Sequence, residues 1–337
     1  MSITLDQNMC DHSFDNTFYC KKCGYTDLHK RMMSQVTFEI PELTDDNNKV
    51  YVDYISDVHL DFWIREMNPQ SPKFERQIKR FIKEVLKPKT SNILILAGDQ
   101  GHYFNQDKGF LLELKKHYNH ILIVPGNHDM YLLGNRQRYR YQNNSNNRIL
   151  EMKQLCRDIE GLHFLDGKVI VINGISFGGL GMWHDESYGK SLGYDSDTIY
   201  MEWKNIMNDA VNIMVDGKEN YSIPTAYGGS INHTHFDYRI LFKKYRDKLD
   251  KMEPCDIMIS HYGPRVPDAL PEDYKDISTS FYYFDGLKDI ERLAPKYWIH
   301  GHTHGRYNEV YKDTNIICNP LGYPDENTYN EILTLEI

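Results

Sequence analysis

The stretch ILIVPGNHDM, residues 121–130, carries four aliphatic residues into a proline and a glycine, then into Asn127, His128 and Asp129. An aliphatic run of that length bounded by turn residues reads as a buried strand, and the side chains that end it are of the kind that bind metals or move protons. The figure recurs. VYVDYIS (50–56) leads into Asp57 and His59, NILILAG (92–98) into Asp99, CDIMIS (255–260) into His261, and KYWIH (296–300) into His302 and His304. Segments 74–86, 110–118 and 148–159, which follow the first three strands, carry apolar residues at helical spacing. Strands alternating with helices of this length argue for βαβ units with parallel strands and right-handed crossovers. In such sheets ligands gather outside the carboxyl ends of the strands, so residues far apart in the chain converge on one site.

Composition narrows the class. The 337 residues are long enough for one large domain with an appendage, and 40% hydrophobic with 26% charged residues is ordinary for a soluble globular chain. No apolar run approaches the roughly 18 residues of a membrane span, and MSITLDQNMCDHSF has no basic patch followed by an apolar stretch, so cytoplasmic residence is expected. A net charge of −9 argues against a broad grip on duplex nucleic acid. Cys156, Cys255 and Cys318 stand singly in apolar surroundings, while the other three cysteines crowd the first 23 residues.

Residues 1–40 therefore read as a small module, 41–49 (PELTDDNNK) as an acidic linker, and 50–337 as the main domain. HFL, KVIVING and ISFGGL are expected to form a second, antiparallel set of strands. Residues 183–252 break the rhythm with helical stretches near 198–215 and 236–252, and are expected to form an inserted cap. Strands resume at 255–260, 296–300, 306–311 and 315–319.

Two carboxylates, one amide oxygen and four imidazoles are the nitrogen and oxygen ligands that suit zinc, manganese or iron. In order, the motifs D57VH59, G98D99, G126N127H128D129, H261 and G301H302TH304 resemble those of the calcineurin-like metallophosphoesterase family, over roughly residues 50–337. The resemblance implies a four-layer sandwich, two mixed β-sheets flanked by helices, and a centre of two divalent ions (Mn, Zn, Fe or Ni). One metal would be held by Asp57, His59, Asp99 and His304, the other by Asp99, Asn127, His261 and His302, with Asp99 bridging. A solvent hydroxide shared by the two ions would attack phosphorus directly, with His128 as proton donor and Asp129 orienting its imidazole. The implied activity is hydrolysis of a phosphomonoester or phosphodiester of a small or nucleotide-like substrate. A nuclease for single-stranded or terminal nucleic acid, and a non-catalytic interaction module of the same fold, stand as alternatives. GDQGHYFN lacks both the tyrosine three residues after the bridging aspartate that marks purple acid phosphatases and the longer Asp-Arg-Gly signature of the Ser/Thr protein phosphatases.

Three further features stand outside those motifs. Cys10, His12, Cys20 and Cys23 read as a structural Cys3His zinc site, with His29 a weaker fourth ligand, or as reduced thiols on a tail. Arg136, Arg138 and Arg140 follow the GNHD turn and read either as a clamp for substrate phosphate or as a solvated loop. His300 is expected in the core, and His102 in a solvated loop.

Overall fold

The computed structural model describes residues 49–89, 91–215, 236–326 and 331–337, together with the backbone of 220–224 and 230–234. The expected N-terminal module, with Cys10, His12, Cys20 and Cys23, lies outside the described residues.

Five strands make the first sheet, in the order β13-β1-β2-β3-β4: Leu333–Glu336, Tyr51–Ile55, Ile93–Ala97, His120–Val124 and Leu162–Phe164. β1 to β4 run parallel and β13 pairs antiparallel with β1. A six-stranded second sheet has the order β11-β12-β10-β9-β6-β5, from Tyr307–Tyr311, Thr314–Cys318, Tyr297–His300, Ile257–Ile259, Ile175–Gly179 and Lys168–Ile172. Strands β7 (Asn220–Pro224) and β8 (Ser230–Thr234) form a separate antiparallel hairpin.

β2 shows why the aliphatic runs are continuous rather than alternating. Ile93, Ile95 and Ala97 pack between the two sheets with Val52, Leu122, Val124, Phe177, Ile259, Ile299 and Ile317, all buried. Leu94 and Leu96 face the opposite way, into the helical layer with Phe74, Ile78, Phe110 and Leu114. Both faces of the strand are covered, as a parallel strand requires. Full burial of each such side chain contributes about 1.5–3 kcal/mol. Helix α2 (Pro72–Phe81) covers the sheet through Phe74, Ile78 and Phe81 at helical spacing, and it starts where Ser71 accepts from the Lys73 N–H, with proline in the first turn.

Several sequence expectations need correction. HFL belongs to the first sheet, not the second: Gly161, at φ +78°, turns the chain back so that Leu162 pairs in parallel with Ile121. Only β5 and β6 form the expected antiparallel pair. The helix expected at 110–118 is α3, Phe104–Leu114. The stretch 198–215 breaks into α7 (Ser196–Ile206) and α8 (Asp209–Asn212) because Met207 is extended. Helix α9 (Tyr238–Leu249) matches its expected segment. Among the described residues no helix is long and apolar enough to cross a membrane.

The two sheets are stitched at one rim. Ser56 N–H donates to Asn319 O (3.1 Å) and Leu321 N–H to Ser56 O (2.9 Å), tying the end of β1 to the segment after β12. Gly301 N–H donates to His261 O (3.0 Å) and His59 N–H to Asp99 O (3.0 Å), so the loops after β9, β10, β1 and β2 form one surface.

Candidate metal centre

All seven proposed ligands converge on that rim. The acidic and imidazole ligand atoms fall into three compact groups, Asp57 with His59 and His304, Asp99 with His261 and His302, and, between them, His59 with Asp99 and His128, each group within 4.8 Å. Five of the seven residues, Asp57, His59, Asp99, His302 and His304, have φ between 44° and 70°. Non-glycine residues adopt that left-handed region at a cost of about 1–3 kcal/mol each, a strain that collects where function requires it. Two glycines admit the close approach. A Cβ on Gly98 (φ +93°) would overlap the His261 ring, and one on Gly126 would overlap the Asp99 carboxylate.

The hydrogen bonds behind the ligands determine which atoms face inward. His261 Nδ1 lies 2.9 Å from Ala97 O, so Nδ1 carries the proton and Nε2 presents its lone pair. Asn127 Nδ2 donates to Asp209 Oδ1 (2.7 Å), which turns Asn127 Oδ1 inward, 3.0 Å from His261 Nε2. Two acceptors thus face each other, a contact that a cation or a proton must bridge. His302 gives its Nε2 proton to Phe281 O (3.1 Å) and His304 its Nδ1 proton to Glu326 (2.8 Å), leaving Nδ1 and Nε2 respectively for the centre. Such outer partners fix tautomer and ring orientation in metal-binding histidines. Asp99 Oδ2 lies 3.3 Å from His261 Nε2 and 3.8 Å from His59 Nε2, between the two groups. The donor set and its orientation fit two divalent cations sharing Asp99.

Electrostatics agree. Burial holds the imidazoles of His59 and His302 below their ordinary pKa, with Asp99 opposing, so their lone pairs are available at neutral pH. Burial also lowers His261, but Asp99 outweighs it and the pKa rises to about 9. A proton therefore sits between His261, Asp99 and Asn127 until a cation displaces it. Burial pushes Asp99 up, while the surrounding imidazoles, His261 foremost, bring it well below the ordinary carboxylate range.

His128 stands beside the centre, its ring 4.6 Å from that of His59. Burial, only partly opposed by Asp99, holds it well below its usual pKa. Asp129 does not serve the imidazole as expected. Its carboxylate accepts from the backbone N–H groups of Gly126 (2.8 Å), Asp99 (3.0 Å) and Gln100 (3.1 Å), so it shapes the loop that carries Asp99. The partner of the His128 ring is His102, with Nδ1 and Nε2 2.8 Å apart, and His102 is 4% exposed rather than solvated. Its other nitrogen bonds Asp61 (2.8 Å). His300, as expected, is buried in the core, with Nδ1 donating to Gly301 O (2.9 Å) and Nε2 against the Tyr307 hydroxyl.

Other contributors carry no local signal in the sequence. Asp209 arrives from α8 and also accepts from the Tyr131 hydroxyl (2.6 Å). Buried Arg148 donates to His128 O (2.8 Å) and Gly101 O (2.5 Å), joining the GNHD turn to the GDQG loop. Tyr323 stacks on His59 (4.5 Å between centroids) and against Phe62 (4.7 Å), which is 49% exposed.

The three arginines after the GNHD turn lie on or beside α4 (Gly134–Arg140) and differ in surroundings. Arg138 Nε donates to Leu132 O (3.3 Å), and Arg140 pairs with Glu151 (2.5 Å). Arg136 and Arg140 line a cavity of about 660 Å3 with Tyr103, Phe104, Tyr141 and Met67.

Comparison with known proteins agrees with this geometry. The family model described as calcineurin-like phosphoesterase matches residues 51–306. An uncharacterized protein, L509, of Acanthamoeba polyphaga mimivirus is 24% identical over 295 residues, covering 84% of this chain and 95% of that protein. Among solved structures, the phosphopantetheinyl hydrolase PptH of Mycobacterium tuberculosis superposes with a TM-score of 0.57 at 15% identity, covering 85% of this chain and 96% of its own. A dimetal phosphatase of Danio rerio covers 85% and 91% at 13% identity, with a TM-score of 0.34. With its motifs in order, its two sheets and its converged ligands, this chain belongs to the calcineurin-like phosphoesterase family.

Proposed function

We propose that the chain hydrolyses a phosphomonoester or phosphodiester of a small or nucleotide-like substrate. The observation that carries this reading is the inward-facing pair His261 Nε2 and Asn127 Oδ1, with Asp99 between the two imidazole groups and His128 alongside. Asp57, His59, Asp99 and His304 would hold one divalent cation, and Asp99, Asn127, His261 and His302 the other. When bound, the two ions supply Lewis acidity, neutralising charge on the phosphoryl oxygens and lowering the pKa of water.

The remaining chemistry belongs to the chain. His128, whose ring nitrogen lies within 4.8 Å of Asp99 and His59, is placed to give a proton to the oxygen that leaves phosphorus. Asp129 and Arg148 fix the two loops whose spacing sets the distance from His128 to the centre. Phe62 and Tyr323 form an aromatic wall at the rim, suited to the flat face of a base or aryl group. Arg136 is an exposed cation at the neighbouring cavity, suited to an anionic group of the substrate.

A second reading, a nuclease acting on single-stranded or terminal nucleic acid, draws on that cavity, where Tyr103, Phe104 and Tyr141 lie beside Arg136 and Arg140. A screen of aryl and alkyl phosphoesters, nucleotides and oligonucleotides with Mn, Ni and Zn tests both. Turnover that depends on metal and is lost in His128→Ala supports the proposal. Oligonucleotide binding that weakens steeply with salt would favour the nuclease, and an inert protein under all metals would leave only the interaction module.

A further inference from the structure

We propose that His102, braced by Asp61, is a positioning residue for His128, holding it in the one tautomer and orientation that direct its Nε2 at the leaving oxygen. The inference rests on the phosphoesterase reading and adds two residues to it. Its basis is a chain of three side chains. Asp61 Oδ1 accepts the backbone N–H of His102 (3.1 Å) and Asp61 Oδ2 lies 2.8 Å from His102 Nδ1. A carboxylate only accepts, so the proton of that contact belongs to His102 Nδ1 and its Nε2 is left as an acceptor. That acceptor lies 2.8 Å from His128 Nδ1, which therefore carries the donated proton. Nε2 of His128 is then the nitrogen left for chemistry, and among the described residues it has no hydrogen-bond partner.

The packing keeps the chain of bonds in place. Ring and backbone of His102 are held separately: Tyr131 stacks parallel to the ring (5.5 Å, 11°), Phe62 lies 6.1 Å away on an inclined plane, and Gln137 Nε2 donates to the His102 carbonyl (2.6 Å). His128 in turn stacks on Tyr131 at 4.3 Å. A nucleophile or acid positioned by a base that is itself oriented by a third group is a recurring logic of active sites. In the step assigned here, water oxygen forms a bond to phosphorus as the bond to the leaving oxygen breaks. For this step solvent first loads a proton on Nε2, so the ring is briefly imidazolium. The leaving oxygen keeps the electron pair and takes that proton, which returns His128 to the neutral ring with its one proton on Nδ1 in the bond to His102. Solvent restores the Nε2 proton before the next turnover. His102 and Asp61 touch neither substrate nor reacting atoms.

The test compares wild type, His102→Leu, His102→Gln and Asp61→Asn on a 4-nitrophenyl ester, whose leaving group needs no proton, and on an alkyl ester, whose leaving group does. His102→Leu is expected to lower kcat on the alkyl ester about 100-fold, with KM, bound metal and the nitrophenyl rate within about threefold of wild type. His102→Gln, whose side-chain oxygen still accepts from His128 Nδ1, should recover much of the loss. Asp61→Asn should lie between, and it keeps the test open if His102→Leu does not fold. Equal losses on both esters, or no loss on either, would overturn the proposal. Nitrogen-15 spectra of the histidines in the full chain give an independent readout. A single His128 tautomer protonated at Nδ1 is expected in wild type and a tautomer mixture in His102→Leu. Wild type without a fixed tautomer contradicts the proposal. If no ester is turned over while the tautomer is fixed, the phosphoesterase reading has failed and the positioning contact has not.

Discussion

Asp209 Oδ1 accepts a hydrogen bond from Asn127 Nδ2 at 2.7 Å across 82 residues of sequence, so α8 braces a proposed ligand of the candidate metal centre. Burial raises the Asp209 carboxyl to about 6, against the lowering effect of its bonds from Asn127 and Tyr131. It is therefore largely ionised at neutral pH and bonds the amide as an acceptor. Asp209→Ala leaves that buried amide and the Tyr131 hydroxyl without their partner. The expected result is a loss of about 10–100-fold in affinity for one of two metals, read by calorimetric titration, with Asp209→Asn losing less.

Gly126 supplies no ligand, yet its Cβ would overlap the Asp99 carboxylate and stand 2.6 Å from the Asp99 backbone nitrogen. That nitrogen is backbone and the carboxylate is held by the His128 N–H (2.9 Å), which leaves little room to yield. Gly126→Ala should cost about 1–3 kcal/mol of stability and weaken both metals, since Asp99 is shared. A denaturant titration beside elemental analysis checks this, and unchanged occupancy would show that the loop can move.

The legible part of this protein is the part that strand ends announce. Asp57, Asp99, Asn127, His261, His302 and His304 each follow a buried aliphatic run at short distance, so the run locates the residue and the residue's chemistry marks it. Asp209 has no such marker, because it sits in α8 after the break at Met207 and its partners Asn127 and Tyr131 lie 82 and 78 residues away in sequence. His102 reads as a solvated loop residue because nothing beside it in the chain shows that Asp61 and His128 close around it. The sheet that β4 joins is illegible for a similar reason: pairing partners are non-local, and three residues carry too little pattern to choose between them.

His184 predicts an acid sensitivity. Neither ring nitrogen meets hydrogen-bond geometry with a protein partner, and the ring is enclosed by Tyr238 (4.1 Å), Phe281 and Trp203. Burial pushes its pKa down to about 3, against weaker opposition from the Asp185 backbone and Glu186. The unfolded chain therefore takes up a proton near pH 6.5 that the folded chain refuses until about pH 3. Stability from this group is fully present above pH 6.5 and falls by about 1.4 kcal/mol per unit as pH drops through that window. His184→Phe should flatten the acid limb of a denaturation series between pH 6.5 and 4. An acid limb as steep as wild type would assign the sensitivity to other groups.

The most direct test of the shared-aspartate centre is equilibrium dialysis against manganese followed by elemental analysis, on wild type and Asp99→Ala. Two ions per chain in wild type and at most one, weakly held, in the variant is the predicted result. A wild type that saturates below two, or an Asp99→Ala protein that still holds two, contradicts the account.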